Sequence, residues 1–328
     1  MIVVTGGAGF IGSAFVWKLN EEGLHDILVA DEFGTGHKWR NLAKRRISYA
    51  LHKDELLNWL NTKTRSSAIE AIVHMGACSA TTEKDVDFLV KNNFNYSAEL
   101  FQFAARERIP FIYASSAATY GMGEHGYSDD PQIIHRLRPI NPYGYSKHIF
   151  DQWVLKQREK PPFWAGLKFF NVYGPQEYHK GGQASVVFHA FPQVRDRGTL
   201  KLFKSYKDGI AHGDQRRDFV WVKDVVDVIQ HFLRAPEGTK SGIYNVGSGT
   251  ARSFADLGRA VFSAIGKPES KFEWIDMPED LKNQYQYFTE ANLIRLREEG
   301  GYTKAFTSLE EGVREYVTRY LANQDPFL

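Results

Sequence analysis

The run Ile2-Val-Val-Thr5, followed at once by Gly6-Gly-Ala-Gly9-Phe-Ile-Gly12, decides the fold. Ile2–Thr5 is a β-branched, apolar run that reads as a buried strand. Ser13–Glu22 then places Phe15, Val16 and Leu19 on one helical face, and Gly23 fits the residue that ends a helix. Gly6 permits a tight turn, Gly9 lets a pyrophosphate approach the main chain, and Gly12 lets helix and strand pack closely. The helix N-terminus supplies unpaired N–H donors and a partial positive charge. Asp31 ends the next strand, Ile27–Asp31, 19 residues after Gly12. A carboxylate there suits the adenosine ribose hydroxyls of a dinucleotide. The competing reading, a glycine-rich turn beside a solvated aspartate, does not explain why strand, loop, helix, strand and acid follow in that order.

Working outward, strand signals recur at Ile47–Ala50, Ala71–His74, Phe111–Ser115 and Leu167–Val172. Helical patterns at Glu55–Leu60, Lys84–Arg106 and Tyr143–Arg158 sit between most of them. The apolar runs are continuous rather than alternating, which predicts an α/β chain with a doubly wound parallel sheet of the Rossmann type, covered on both faces. After about residue 175 the alternation breaks down. Helix-like Ala184–Arg197, strand-like Leu200–Phe203, a polar loop Ser205–Gln215, strands at Phe219–Val222 and Gly242–Val246, and helices at Ser253–Ile265, Glu290–Glu299 and Leu309–Ala322 predict a smaller C-terminal α/β lobe. The expected division is residues 1–175 as the dinucleotide-binding domain and 176–328 as mainly the substrate lobe, with residues 219–235 able to return to the first.

Composition narrows the function. The 328 residues suit about two lobes at roughly 150 residues each. With 41 Lys+Arg against 39 Asp+Glu there is no bulk attraction to nucleic acid or an anionic membrane. A single cysteine, Cys78, excludes an intrachain disulfide. No apolar stretch approaches the ~20 residues that span a bilayer, and the N-terminus carries no basic leader or cleavage site, so a cytoplasmic protein is expected. The 11 histidines lack metal-ligand spacing, and no metal is expected. Most of the aromatic residues belong in the core.

Two further segments carry chemistry. Beyond Asp31 lie Lys38, Arg40, Lys44, Arg45, Arg46 and Lys53. Most suit a solvated face; Lys38 and Lys53 are the candidates to pair with a 2′-phosphate, which would select NADP, whereas Asp31 favours NAD. NADP is expected, with NAD the alternative. In Asn141-Pro-Tyr143-Gly-Tyr145-Ser-Lys147, Tyr143 and Lys147 are four apart and share a helix face. A phenol is a poor base at neutral pH, and a neighbouring ammonium stabilises its anion. The strand end Tyr113-Ala-Ser115-Ser116-Ala-Ala-Thr119 lies where open α/β sheets place ligands. Ser116 is the hydroxyl expected to orient a substrate oxygen, with Ser115 and Thr119 serving the backbone.

Together the glycine loop, serine strand and Tyr–Lys helix resemble the extended short-chain dehydrogenases/reductases of the NAD-dependent epimerase/dehydratase type. MIVVTGGAGFIGS, DILVAD, HMGACSATTE, PFIYASSAATYG, YGYSK, FFNVYGPQEYHKG, RRDFVWVKDVVDV and YQYFTEANL are similar to the ADP-L-glycero-D-manno-heptose 6-epimerases. The resemblance covers residues 1 to about 293. It implies that a tightly bound nicotinamide cofactor oxidises the alcohol at carbon 6 of an ADP-heptose and returns the hydride to the other face, supplying the heptose of lipopolysaccharide. It implies Tyr143 and Lys180 as the two acid/base groups, Ser116 orienting the oxygen and Lys147 assisting. Implied cofactor contacts are Gly6, Gly9, Phe10, Ile11, Gly12, Asp31, Glu32, Lys38, Lys53, Met75, Gly76, Ala77, Cys78, Ser79, Asn92, Lys147 and Val172. Implied substrate contacts are Ser116, Asn171, Gly182, His189, Phe203, Lys204, Ser205, Tyr206, Arg217 and Tyr285. Without the resemblance Lys180 reads as a solvated lysine, and Arg217 as either a diphosphate ligand or a surface partner of Asp218. Homo-oligomers, pentamers among them, are a further implication. The chain departs from the pattern at Met75, where many members carry an acid, at Gly182, where some carry serine, and in the longer Ser205–Gln215 segment.

Other readings remain. A hexose 4-epimerase or a 4,6-dehydratase would share the fold; Ala117-Ala118 after Ser116 lack the acid that elimination needs. A non-catalytic dinucleotide-sensing module has no need of the Tyr143–Lys147 pair.

Overall fold

The computed structural model describes residues 1–62, 69–267, 269, 271–282 and 285–328. Seven parallel strands form the main sheet: β1 (Ile2–Thr5), β2 (Ile27–Asp31), β3 (Tyr49–His52), β4 (Ala71–His74), β5 (Phe111–Ser116), β6 (Trp164–Phe169) and β10 (Gly242–Val246), in the spatial order β10-β6-β5-β4-β1-β2-β3. Ile2 pairs with Ile27 on one side and Ala71 on the other, so β1 is central. The chain winds outward from β1 in both directions, and the strands' carboxyl ends meet at the reversal point, where such sheets bind ligands.

Alternate residues of each central strand enter two different cores. Ile2, Val4, Ile27 and Val29 face helices α1 (Phe10–Glu21) and α5 (Val222–Arg234). Val3, Leu28 and Ala30 face α2 (Tyr96–Arg106) and α3 (Pro142–Lys156). Burial on both faces explains the unbroken apolar runs. Phe15, Val16 and Leu19 are all fully buried, as the helical spacing predicts.

Residues after β6 build a third core. Helices α4 (Val186–Arg197), α6 (Phe254–Ala264) and α7 (Leu309–Glu315) pack around β8 (Leu200–Phe203) and β9 (Arg216–Trp221) through Val187, Phe191, Leu202, Leu257, Val261 and Val313. Two small sheets order this region: β11 (Ala251–Ser253), β9 and β7 (Asn171–Tyr173) in one, and β12 (Phe272–Ile275) beside β8 in the other. Helix α5 lies against α1, and β10 lies beside β6 with Gly242 opposite Ala165, so the chain crosses back to the main sheet after visiting the third core.

Several boundaries differ from expectation for local reasons. The strand expected at Ile47–Ala50 is Tyr49–His52, set by its pairing with Leu28–Asp31 rather than by its own hydrophobicity. Leu167–Val172 is two strands: Trp164–Phe169 belongs to the main sheet and Asn171–Tyr173 pairs with Phe219–Trp221. The helix expected over Glu290–Glu299 is confined to Ile294–Glu298, because the Ala291 N–H is donated to Asp218. Lys84–Arg106 is helical from Val86, with a π-helical segment at Val90–Asn95. No described helix is long and apolar enough to cross a membrane.

Candidate active site

At the carboxyl ends of β1, β2, β4 and β5 lies a cleft of about 840 Å³. Its floor is the glycine loop. Gly6 turns with φ +64°, and a Cβ on Gly12 would sit 2.1 Å from the Gly6 carbonyl oxygen. Gly9 precedes helix α1 as its N-cap, with no side-chain cap and no acidic residue in the first turn. The uncapped N–H groups and the helix dipole therefore present an anion site. A dinucleotide fits this cradle, since any side chain at Gly12 would push the loop apart.

Asp31 is buried at the far end of the loop. Its Oδ2 accepts from the Ala8 N–H at 2.8 Å and its Oδ1 from the Glu32 N–H at 2.7 Å and from the Lys38 ammonium. Lys53 donates to Asn92 Oδ1 at 2.7 Å and pairs with Glu32 Oε2 at 2.7 Å. That ammonium holds the Glu32 carboxyl below its ordinary range, chiefly through their hydrogen bond. Of the six basic residues beyond Asp31, only Lys38 and Lys53 line the cleft. Lys44 and Arg45 instead bind the main-chain oxygens of Phe327 and Leu328 at 2.8 and 3.0 Å.

The wall is the loop after β4, residues Met75–Ser79. Thr5 Oγ1 bonds His74 Nδ1 at 2.6 Å and accepts from the Gly76 N–H at 3.1 Å, which fixes where the loop leaves the sheet. Burial pushes His74 down to about 3, so it is neutral, and its Nε2 meets Ser97 Oγ at 2.8 Å. Asn93 clamps Cys78 from the π-helical turn, accepting from its N–H and donating to its carbonyl, each at 2.9 Å. π-Bulges recur at functional sites because they redirect side chains. This one puts Asn92 in the cleft lining and Asn93 behind it.

Opposite stands α3. Asn141 caps it by accepting from the Gly144 N–H at 2.7 Å, and Pro142 occupies its first turn. Tyr143, Lys147 and Asp151 follow at helical spacing, one face of α3 turned to β5. The Tyr143 phenol is beside Ser116. Burial raises its pKa above the ordinary phenol value, and the Ser116 hydroxyl opposes that rise. Lys147 donates to the Ala114 carbonyl at 2.8 Å. Burial brings its ammonium down to about 8, with Asp151 pulling it back up. Ser116 Oγ also accepts from the Ala118 N–H at 3.1 Å.

Behind these groups lies an ion pair that sequence reasoning missed. Lys168 and Asp151 are wholly buried and 2.6 Å apart. Lys168 also donates to Thr119 Oγ1 at 2.7 Å, while Asp151 accepts from Ser115 Oγ at 2.7 Å and the Tyr113 hydroxyl at 3.0 Å. Ser115 thus serves a carboxylate rather than the backbone, a correction to the expectation above. Thr119 does bond a main-chain oxygen, that of Ser116, at 2.8 Å.

Lys180 lies in a short 3-10 segment, Tyr178–Gln183, and its ammonium sits 5.4 Å from the centre of the Phe10 ring. Burial lowers its pKa, with Glu177 opposing. It is therefore not a solvated surface lysine. The segment is braced from below: buried Glu177 accepts from the Ser185 N–H and Oγ at 2.5 and 2.7 Å. Asn41, another residue no motif identified, donates to the carbonyls of Ala8 at 2.9 Å and Gln176 at 3.0 Å, tying the glycine loop to the Lys180 segment.

The cleft lining includes Ser116, Tyr143, Lys147 and Lys180, together with Gly6, Gly9, Phe10, Ile11, Gly12, Asp31, Glu32, Lys38, Lys53, Met75–Ser79, Asn92, Asn171, Val172 and Gly182. His189, Phe203 and Tyr285 line a second, adjoining cavity of about 380 Å³. Lys204, Ser205, Tyr206 and Arg217 line neither. Lys204 and the Tyr206 hydroxyl instead bind Asp276 at 3.1 and 2.6 Å. Arg217 is buried, 5.1 Å from the Tyr285 ring centre, and does not pair with Asp218, whose carboxylate is taken by Ser248, Gly249 and Ala291.

Residues 2–247 match the model of the NAD dependent epimerase/dehydratase family. The chain is 56% identical to the ADP-L-glycero-D-manno-heptose-6-epimerase of Fusobacterium nucleatum and 49% identical to that of Nitratidesulfovibrio vulgaris, each over the full length of both chains. The crystal structure of Helicobacter pylori ADP-L-glycero-D-manno-heptose-6-epimerase superposes with a TM-score of 0.79 at 28% identity, covering 97% of this chain and 95% of that one.

Proposed function

The chain belongs to the NAD dependent epimerase/dehydratase family, and from that premise we propose that it inverts carbon 6 of ADP-D-glycero-D-manno-heptose to give the L-glycero epimer. The observation that carries this reading is one cleft holding two separate proton-handling groups, Tyr143 and Lys180, above a dinucleotide loop. Inversion without net oxidation needs a proton taken from and returned to oxygen in two orientations.

The glycine loop, Asp31, Lys38, Lys53, Met75–Ser79, Asn92 and Lys147 would hold the nicotinamide dinucleotide. When bound, it supplies a reversible hydride acceptor. The chain's own work is then with oxygen and protons. Ser116 fixes the substrate oxygen and holds the Tyr143 phenol. Tyr143 takes the proton from the hydroxyl in one orientation, and its anion is stabilised by the Lys147 ammonium one turn on. Lys180, its proton loosened by burial, handles the oxygen in the other orientation. The smaller lobe, mainly residues 176–328, carries the sugar nucleotide.

NADP is the proposed cofactor. Asp31 already accepts from Ala8, Glu32 and Lys38, and Lys53 offsets Glu32. The ribose end of the cleft therefore offers no free carboxylate, and it holds two ammonium groups, each beside its acid. Lys38→Ala and Lys53→Ala should each weaken NADP by roughly tenfold, about 1.4 kcal/mol, and NAD much less, in fluorescence titrations of apo protein. Equal loss for both dinucleotides would mean these lysines do not read the 2′-phosphate.

The deciding experiment incubates purified, cofactor-loaded protein with ADP-D-glycero-D-manno-heptose and no added nicotinamide. The L-glycero epimer is expected, resolved by chromatography. Folded, loaded protein that forms none would sink the substrate assignment; conversion of a UDP-hexose instead would establish a 4-epimerase.

A further inference from the structure

We infer that Gln215 reads the base of the substrate nucleotide, accepting a hydrogen bond from an exocyclic amine such as adenine carries. This rests on the nucleotide-sugar reading above and names a residue that recognises the nucleotide part.

The second cavity adjoins the cofactor cleft, since Gly182, Val186 and Phe254 line both. Gln215 lines it and is only 1% exposed. Its Nε2 donates to the carbonyls of Phe203 at 3.3 Å and Lys204 at 3.1 Å. Rotating the amide would set its oxygen against those two carbonyl oxygens, so the hydrogen-bond network fixes which end is which. The outcome is a buried Oε1 with no partner among the described residues. Leaving a buried acceptor unpaired is unfavourable, and a ligand that brings an N–H relieves it.

Three more features suit a base. His189 Nε2, also buried and without a partner among the described residues, lines the same cavity and supplies a ring nitrogen able to donate. Adenine's edge places an amine donor beside a ring acceptor, which complements one acceptor and one donor. Phe203, Phe254 and Tyr285 supply aromatic faces for stacking. Gln215 precedes β9, and Arg217 stands two residues on, on the same side of extended backbone. The Arg217 guanidinium lies 5.1 Å from the Tyr285 ring centre and 5.8 Å from that of Phe254. A cation therefore packs against two rings of the cavity wall.

The test is calorimetric titration of the cofactor-loaded protein with ADP, IDP and UDP. Inosine replaces the adenine amine with a carbonyl and turns the neighbouring ring nitrogen from an acceptor into an N–H donor, so the wild-type preference reads that edge as a whole and the Gln215 variant isolates the amine contact. Wild type should bind ADP about tenfold or more tightly than IDP. Gln215→Met should weaken ADP by about tenfold and leave IDP nearly unchanged, so the ratio collapses. Equal binding of ADP and IDP by wild type overturns the inference without any variant. So does an equal loss for both nucleotides in Gln215→Met, which is what loosening of the Phe203–Lys204 main chain would produce. UDP binding as tight as ADP would instead overturn the adenine-nucleotide substrate itself, leaving the two failures distinct.

Discussion

Tyr143→Phe should lose epimerisation by roughly 10³-fold in kcat while keeping its cofactor. Removing one positioned acid/base group typically costs 10²–10⁴-fold, and 10³ corresponds to about 4 kcal/mol of barrier. The substitution deletes a single oxygen from a half-buried ring. The glycine loop, Asp31 and Lys38 are untouched, and Lys147 keeps its bond to the Ala114 carbonyl. Dinucleotide released from the denatured variant should therefore match wild type in amount. pH adds a second readout. Burial brings the Lys147 ammonium down to about 8, so above that pH it loses the proton that stabilises the phenol's anion. Wild-type kcat should then fall on the alkaline side, and the residual rate of Tyr143→Phe should lack that limb. Full activity in the variant would remove Tyr143 from the chemistry; loss of cofactor would make its role structural.

How legible this site was depended on whether a residue's partners are near in sequence. The glycine loop and Asp31 are written in local order, strand, turn, helix, strand, and each glycine has a steric duty readable from its neighbours. The Tyr143–Lys147 pair follows from helical spacing alone. Lys180 did not: its segment is polar and short, and only the resemblance singled it out. What holds it in the cleft is distant, Glu177 on Ser185 and Asn41 bridging to Ala8. Asn93 and Asp151 were invisible because a polar residue within a helical pattern ordinarily faces water. Asn93 is instead turned inward by the π-helical segment. The split of Leu167–Val172 escaped for a related reason. One apolar run serves two sheets, and only the pairing of Asn171–Tyr173 with Phe219–Trp221 separates them. Ser115 and Ser116 look alike in sequence; strand alternation sends one to a buried carboxylate and the other to the cleft.

That buried carboxylate carries the second large effect. Lys168→Met should destabilise the fold by about 3–5 kcal/mol, because breaking a buried pair from one side strands the other charge. Among the described residues, Asp151 would keep Ser115 and Tyr113 as donors. Asp151→Asn should cost a similar amount, because it leaves the buried Lys168 ammonium beside a neutral amide and Thr119 with no opposing charge. The double variant Lys168→Met with Asp151→Asn should recover at least half of the summed loss, since neither charge is then left alone. Urea midpoints at constant slope measure all three, and the cycle isolates the pair. Single losses below about 1 kcal/mol would mean the pair is hydrated and energetically idle. The same pair bears on the chemistry through position. Asp151 is one turn beyond Lys147 on α3 and holds Ser115, the neighbour of Ser116. At temperatures where Lys168→Met remains folded, kcat should fall while nucleotide affinity holds, because the network sets the Ser116–Tyr143 geometry and touches neither phosphate nor base.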